Sequence, residues 1–136
     1  MNIWVNGTFD VMHLGHIRLL EFASTFGKVR VGLDTDERIR DRKGLTRPFN
    51  RLEERVEFIS SIKFVDSVVS FGSDDELRQK IKEYETDIIV VGEEYKEKEV
   101  VGSEFAKQIL YFPKLSNKST TEIFNYEYSS DWGKVF

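Results

Sequence analysis

Five short runs rich in β-branched residues, at positions 3–5, 29–33, 68–71, 88–91 and 109–112, recur along this chain between stretches of helical patterning. Apolar residues near a 3.6 spacing mark helices over 16–25, 51–62 and 74–84, with Asn50 and Ser73 as N-caps. Strands that alternate with helices build βαβ units, and repeated βαβ units make a parallel sheet. The expected fold class is therefore α/β, a five-stranded parallel sheet flanked by helices. With 136 residues, 40% of them apolar, the chain reads as one compact domain over 1–136.

Ligands of such sheets sit outside the carboxyl ends of the strands, which directs attention to residues 6–16, 34–47, 92–104 and 113–122. Both histidines of the chain fall in the first of these, in His13-Leu14-Gly15-His16, just after Asn6-Gly7-Thr8-Phe9-Asp10. Two imidazoles at i and i+3, ahead of a helical pattern, pair side-chain donors with the free N–H groups of a helix start, where phosphate binds. Gly7 allows backbone to approach a ligand closely. The plainer explanation is that the histidines cap a turn.

Residues 38–51 are densely basic and read as a mobile loop, its outer arginines solvated. Lys43, beside Gly44, and Arg55 on the following helix are the cations placed to touch a polyphosphate. Ser119-Thr120-Thr121-Glu122 is a capping-box pattern whose hydroxyls and N–H groups suit a second phosphate contact. Gly92-Glu93-Glu94-Tyr95 follows the most apolar strand. Its glycine and carboxylates could accept from a base amino group or a sugar hydroxyl, although a strand exit is often acidic in any case.

The net charge of −4 argues against a nucleic-acid or membrane-surface partner, and the absence of cysteine removes disulfides and thiolate chemistry. No apolar run is long enough for a bilayer span and the first residues lack a signal-peptide layout, so a cytoplasmic location is expected.

Taken together, Gly7-Thr8-Phe9-Asp10, His13-x-Gly15-His16, the basic stretch and Ser119-Thr120-Thr121 resemble the cytidylyltransferase-like nucleotidyltransferases, over residues 2 to 124. The resemblance implies a Rossmann-like fold, a nucleoside triphosphate and a phosphorylated small molecule as substrates, and release of pyrophosphate. It also implies Mg2+ held mainly by the nucleotide phosphates, with no metal ligands from the protein, and a homodimer. Catalytic roles then fall to His13, His16 and Lys43. Nucleotide binding falls to Gly7, Thr8, Phe9, Asp10, Gly15, Gly92, Glu94, Ser119, Thr120 and Thr121, and acceptor binding to Arg55 and Lys63. Asp10 is expected to orient the ligand or a magnesium-bound water.

Two subgroups compete. Lys43-Gly44, Arg47-Pro48-x-Asn50, Glu94-Tyr95-Lys96 and Val101-Gly102-Ser103-Glu104 look most like the adenylyltransferases that activate heptose 1-phosphate, although Glu94 stands where that group usually has aspartate. Glycerol-3-phosphate cytidylyltransferases share the opening motif, but Lys114 and Lys118 replace an arginine and a glycine of their signature, and Lys63 another arginine. A non-catalytic nucleotide sensor is the alternative of a different class. A tRNA-charging enzyme, which has a similar H-x-G-H segment, needs domains that a chain of this length cannot hold. The aromatic stretch 125–136 suits a tail docked on the body or on a second subunit.

Overall fold

The computed structural model describes residues 1–113. Strands β1 (Asn2–Gly7), β2 (Lys28–Asp34), β3 (Ser67–Phe71), β4 (Ile88–Gly92) and β5 (Gln108–Phe112) form one sheet in the order β3-β2-β1-β4-β5. Every pairing is parallel. The fold is an α/β parallel sheet, as the alternation of apolar runs predicts, and Rossmann-like, as the resemblance implies. The order reverses beside β1, since the chain moves outward to β3 and then crosses back to β4. A crevice opens at such a reversal, at the carboxyl ends of the strands.

Helix α1 (Leu14–Ser24) follows β1, α2 (Asp36–Lys43) and α3 (Leu52–Ser60) follow β2, and α4 (Asp74–Glu83) follows β3. Strand residues alternate faces, so the sheet carries two cores. Ile3, Val5, Val31 and Val90 pack with Leu20 and Ala23 of α1 and Ile59 of α3. On the other side Trp4 and Ile89 pack with Phe71 and with Leu77 and Ile81 of α4. Gly32 lets the Trp4 indole lie across the neighbouring strand, because a Cβ there would collide with the ring.

Two local expectations are corrected. Residues 36–43 are not loop but α2, capped by the Thr35 hydroxyl accepting from the Arg38 amide. Asp36 and Glu37 in its first turn and Arg40, Arg42 and Lys43 in its last complement the helix dipole, which explains how so charged a segment stays helical. Ser73 caps α4 as expected, but Asn50 does not cap α3. Its side-chain amide instead donates to the carbonyl of Asp10 at 2.6 Å.

Candidate functional site

A cleft of about 480 Å³ lies at the carboxyl ends of β1 and β4. Its α1 side is formed by Gly7, Thr8, Phe9, His16 and Leu19, and the end of β4 adds Gly92, Glu94 and Tyr95. Opposite them stand Arg38, Arg42 and Lys43 of α2 with Phe71, Asp74 and Leu77.

The two histidines form the start of α1. His13 is the N-cap residue, and its Nδ1 accepts the Gly15 amide at 3.0 Å. His16, three residues on, accepts the His13 amide at its own Nδ1, also at 3.0 Å. This is a capping box built from imidazoles, satisfying two N–H groups that a helix start leaves open. The turn-capping explanation and the phosphate-site explanation therefore hold for the same residues. Each Nδ1 acts as acceptor, so each neutral ring carries its proton on Nε2 and keeps that N–H as a donor. Gly15 is required because a Cβ there would fall 2.6 Å from Cε1 of the His13 ring.

The rings lie 4.1 Å apart between centroids, and Phe9 meets His16 edge-on at 5.5 Å. Phe9 holds a positive φ of 48°, an unfavourable conformation for a non-glycine residue, at the turn that carries it beside His16. Burial, followed by repulsion from His13, pushes the pKa of His16 down to about 4, and burial also lowers that of His13. An acceptor role at Nδ1 is open only to the unprotonated nitrogen, which acts in the same direction. Both rings are therefore neutral donors at neutral pH.

Lys43, at the end of α2, reaches across to the Thr8 hydroxyl at 3.4 Å. Thr8, His16 and Lys43 thus meet at one mouth of the cleft, as the sequence leads one to expect. A short 3-10 turn, Glu93–Tyr95, carries Glu94 and Tyr95 to the cleft wall. Ser119, Thr120 and Thr121, and the aromatic tail that motivates a homodimer, lie outside the described residues.

Three assignments change. Arg55 is 1% exposed and its guanidinium is fully engaged. It donates to the carbonyls of Asn50, Thr8 and Asp34 at 3.0, 3.1 and 2.8 Å and pairs with Asp36 at 2.7 Å. No face of it is left for an acceptor phosphate; it fastens together the segments that carry the site. Lys63 lies just before β3, at the amino end of the sheet, with its ammonium over the Phe64 ring at 5.1 Å, away from the cleft. Asp10 turns its carboxylate to the amides of Phe49 and Asn50, both at 2.8 Å, rather than to a ligand. Burial opposes its ionisation, but those amides together with Arg55 and Arg47 hold its pKa below the usual carboxylate value.

Sequence reasoning also missed one wall. Arg38 is not solvated: it stacks over Phe71 and pairs with Asp34 at 2.8 Å and Asp74 at 2.7 Å. The local sequence signal was only the four-residue spacing of Asp34 and Arg38, which is weak because Asp34 ends β2 and does not share a helix with Arg38.

A family model described as cytidylyltransferase-like matches residues 4–125. The chain belongs to the cytidylyltransferase-like family. It is a nucleotidyltransferase by that membership. Among similar curated proteins, the bifunctional protein HldE of Campylobacter fetus is 40% identical over 90% of this chain, and that of Nitratiruptor is 40% identical over 89%. The chain spans about a quarter of the length of these relatives, 27% and 26%. Among solved structures, a lipopolysaccharide core biosynthesis protein from Thermoplasma volcanium superposes with a TM-score of 0.67 at 24% identity, covering 82% of this chain and 96% of that one. A protein of unknown function from Archaeoglobus fulgidus gives 0.66 at 20% identity, over 88% and 94%. At these identities the two structures speak for the fold alone. Among the described residues no helix is long and apolar enough to cross a membrane.

Proposed function

We propose that this domain transfers an adenylyl group from ATP to a sugar 1-phosphate of the heptose 1-phosphate type and releases pyrophosphate. The observation that carries the reading is the paired Nδ1 capping of His13 and His16, which keeps the Nε2–H donor of His16 in the cleft beside Thr8 and Lys43. The similarity to HldE proteins, with Lys43-Gly44 and Glu94-Tyr95-Lys96, supports the adenylyl and sugar phosphate choice.

An oxygen of the acceptor phosphate attacks the α-phosphorus in line, the bond from that phosphorus to the bridging oxygen breaks, and pyrophosphate departs opposite. No protein nucleophile is needed, so the protein acts by positioning and by stabilising charge. His16 donates to the α-phosphate, where negative charge builds. Lys43 neutralises the β- and γ-phosphates, and the Thr8 hydroxyl adds a neutral donor. Among the described residues no cluster of three carboxylate or imidazole groups could cage a metal. A magnesium ion, when bound, would be held chiefly by the phosphate oxygens and would offset their charge.

The test is pyrophosphate release with magnesium, crossing ATP and CTP against heptose 1-phosphate, glycerol 3-phosphate and other sugar phosphates, with His16→Ala as control. Turnover with ATP and heptose 1-phosphate that the substitution abolishes supports the reading. Turnover with CTP and glycerol 3-phosphate replaces the substrate pair. Silence throughout, with ATP still bound, replaces the enzyme with a nucleotide sensor.

A further inference from the structure

Trp4 is buried completely in the α4-side core, and its indole N–H donates to Oδ1 of Asn6 at 3.0 Å. An indole N–H can only donate, so the oxygen of the Asn6 amide must face it. The Nδ2 group, with two N–H donors, is thereby turned away from Trp4. Asn6 lines the cleft, and among the described residues its Nδ2 has no partner. A side chain whose acceptor is locked into the core while its donors remain unused at a cleft wall is set to bind a ligand oxygen.

The face of the sheet decides which ligand oxygen. Asn6 follows Trp4 by two positions and shares its face, the α4 side, whereas the histidines belong to the α1 side. The cleft wall nearest Asn6 in this sense holds Asp34, Arg38, Phe71 and Asp74. Asp34 and Asp74 flank Arg38 and stay partly exposed, with side chains 15% and 43% accessible. Carboxylates that accept and an amide that donates complement a polyhydroxylated group, whose hydroxyls do both. The triphosphate end, in the reading above, occupies the His16, Thr8 and Lys43 mouth.

We infer that Asn6, oriented by the indole N–H of Trp4, determines acceptor specificity by donating to an oxygen of the acceptor's sugar. The inference rests on the proposed transfer to a sugar phosphate. Trp4 is the positioning residue, since it touches no substrate and acts through Asn6.

The kinetic test compares Asn6→Ala, Trp4→Phe and the double variant. Loss of one hydrogen bond to substrate should raise the acceptor KM about 10-fold. Asn6→Ala is expected to do so with the ATP KM unchanged. Trp4→Phe keeps an aromatic ring in the core but frees the Asn6 amide, and should raise the acceptor KM in the same direction. In the double variant the acceptor KM should equal that of Asn6→Ala, because Trp4 then has nothing to orient. An acceptor KM unmoved by Asn6→Ala, while wild-type turnover persists, overturns the inference and leaves the proposed function standing. Multiplying effects in the double variant overturn the positioning role of Trp4.

A second measurement needs no substitution to fold. In ¹⁵N-labelled protein the side-chain NH2 signals of Asn6 should shift on adding heptose 1-phosphate and stay in place with inorganic phosphate or ATP. A shift with inorganic phosphate or ATP alone, or none with the sugar phosphate, overturns the sugar contact. If no acceptor supports pyrophosphate release but the Asn6 signals respond to the sugar phosphate, the transfer reading fails and the binding inference survives.

Discussion

The backbone N–H of His13 donates to Nδ1 of His16 at 3.0 Å, so the imidazole that faces the cleft also holds the first turn of α1 together. Protonating His16 puts a hydrogen on Nδ1 and breaks that contact. Burial of the ring and repulsion from His13 favour the neutral form in the folded protein, with a pKa near 4 against the ordinary 6.5. For a base whose folded value is depressed, the unfolded chain takes up the proton first on acidification. The contribution of this contact to stability is complete above pH ~6.5 and is lost progressively as pH falls toward 4. Thermal melts between pH 7 and 4 check this, with His16→Gln as comparison. Glutamine is an ordinary partner in a capping box and does not titrate, so its variant should lose less stability over that range. Equal slopes for the two proteins would rule the mechanism out.

The same substitution separates the structural from the chemical role of His16. Glutamine can keep the cap but not the imidazole donor at its place in the cleft. Removing one preorganised donor to a transition-state oxygen costs about 3 kcal/mol, so turnover should drop roughly 100- to 1000-fold. Melting temperature at pH 7.5 should hardly change. Near-wild-type pyrophosphate release from a folded His16→Gln protein would remove His16 from the reaction.

Lys43→Met tests the opposite side of that mouth. Lys43 is exposed at the end of α2 and among the described residues makes a single long contact, to Thr8, so beyond its small share in complementing the α2 dipole little in the fold depends on it. Turnover should fall by about 100-fold from the lost charge stabilisation, with unfolding unaffected. A large loss of stability would show that Lys43 serves the fold instead.

Arg55→Ala should act through the fold. Its buried guanidinium joins the Thr8 turn, the end of β2, Asn50 and Asp36, and its removal leaves three carbonyls and a carboxylate short of a partner. Breaking a buried pair of this kind costs about 3 kcal/mol or more. Denaturant titration should report that loss, and any remaining activity should show weakened turnover without a selective rise in acceptor KM. A selective rise in a protein of unchanged stability would return Arg55 to acceptor binding.

Asp10→Ala should loosen residues 44–50. Two amides, of Phe49 and Asn50, converge on its carboxylate, and each buried amide left unpaired costs about 1–3 kcal/mol. Limited proteolysis should cut this stretch faster in the variant than in the wild type. Unchanged cleavage would mean that Asn50, through its bond to the Asp10 carbonyl, holds the stretch alone.

The sheet and the mouth of the cleft were readable from the chain because both are local signals. A run such as Ile88-Ile89-Val90-Val91 marks a strand by itself, and a strand that ends in Asn6-Gly7-Thr8 ahead of His13-x-Gly15-His16 places its donors within one turn. Arg55 and Asp10 were misread because a charged residue near a phosphate motif looks the same in sequence whether it faces the ligand or the backbone. Arg38 was misread as solvated for the converse reason: its second partner, Asp74, lies 36 residues away on another helix.

By itself, then, the order of residues determined a parallel α/β sheet and an imidazole pair at a helix start, since each depends on spacing within one or two elements, whereas the reversal beside β1 is a matter of strand order and belongs to the tertiary structure. Only the tertiary structure decided which charges were free. Arg55 meets its partners 5, 19, 21 and 47 residues away in sequence. Trp4 turns Asn6 toward the cleft only because the α4-side core closes over the indole. Partner choice for a buried donor is settled by which acceptors the folded chain brings within 3 Å, and that distance is set by packing rather than by sequence.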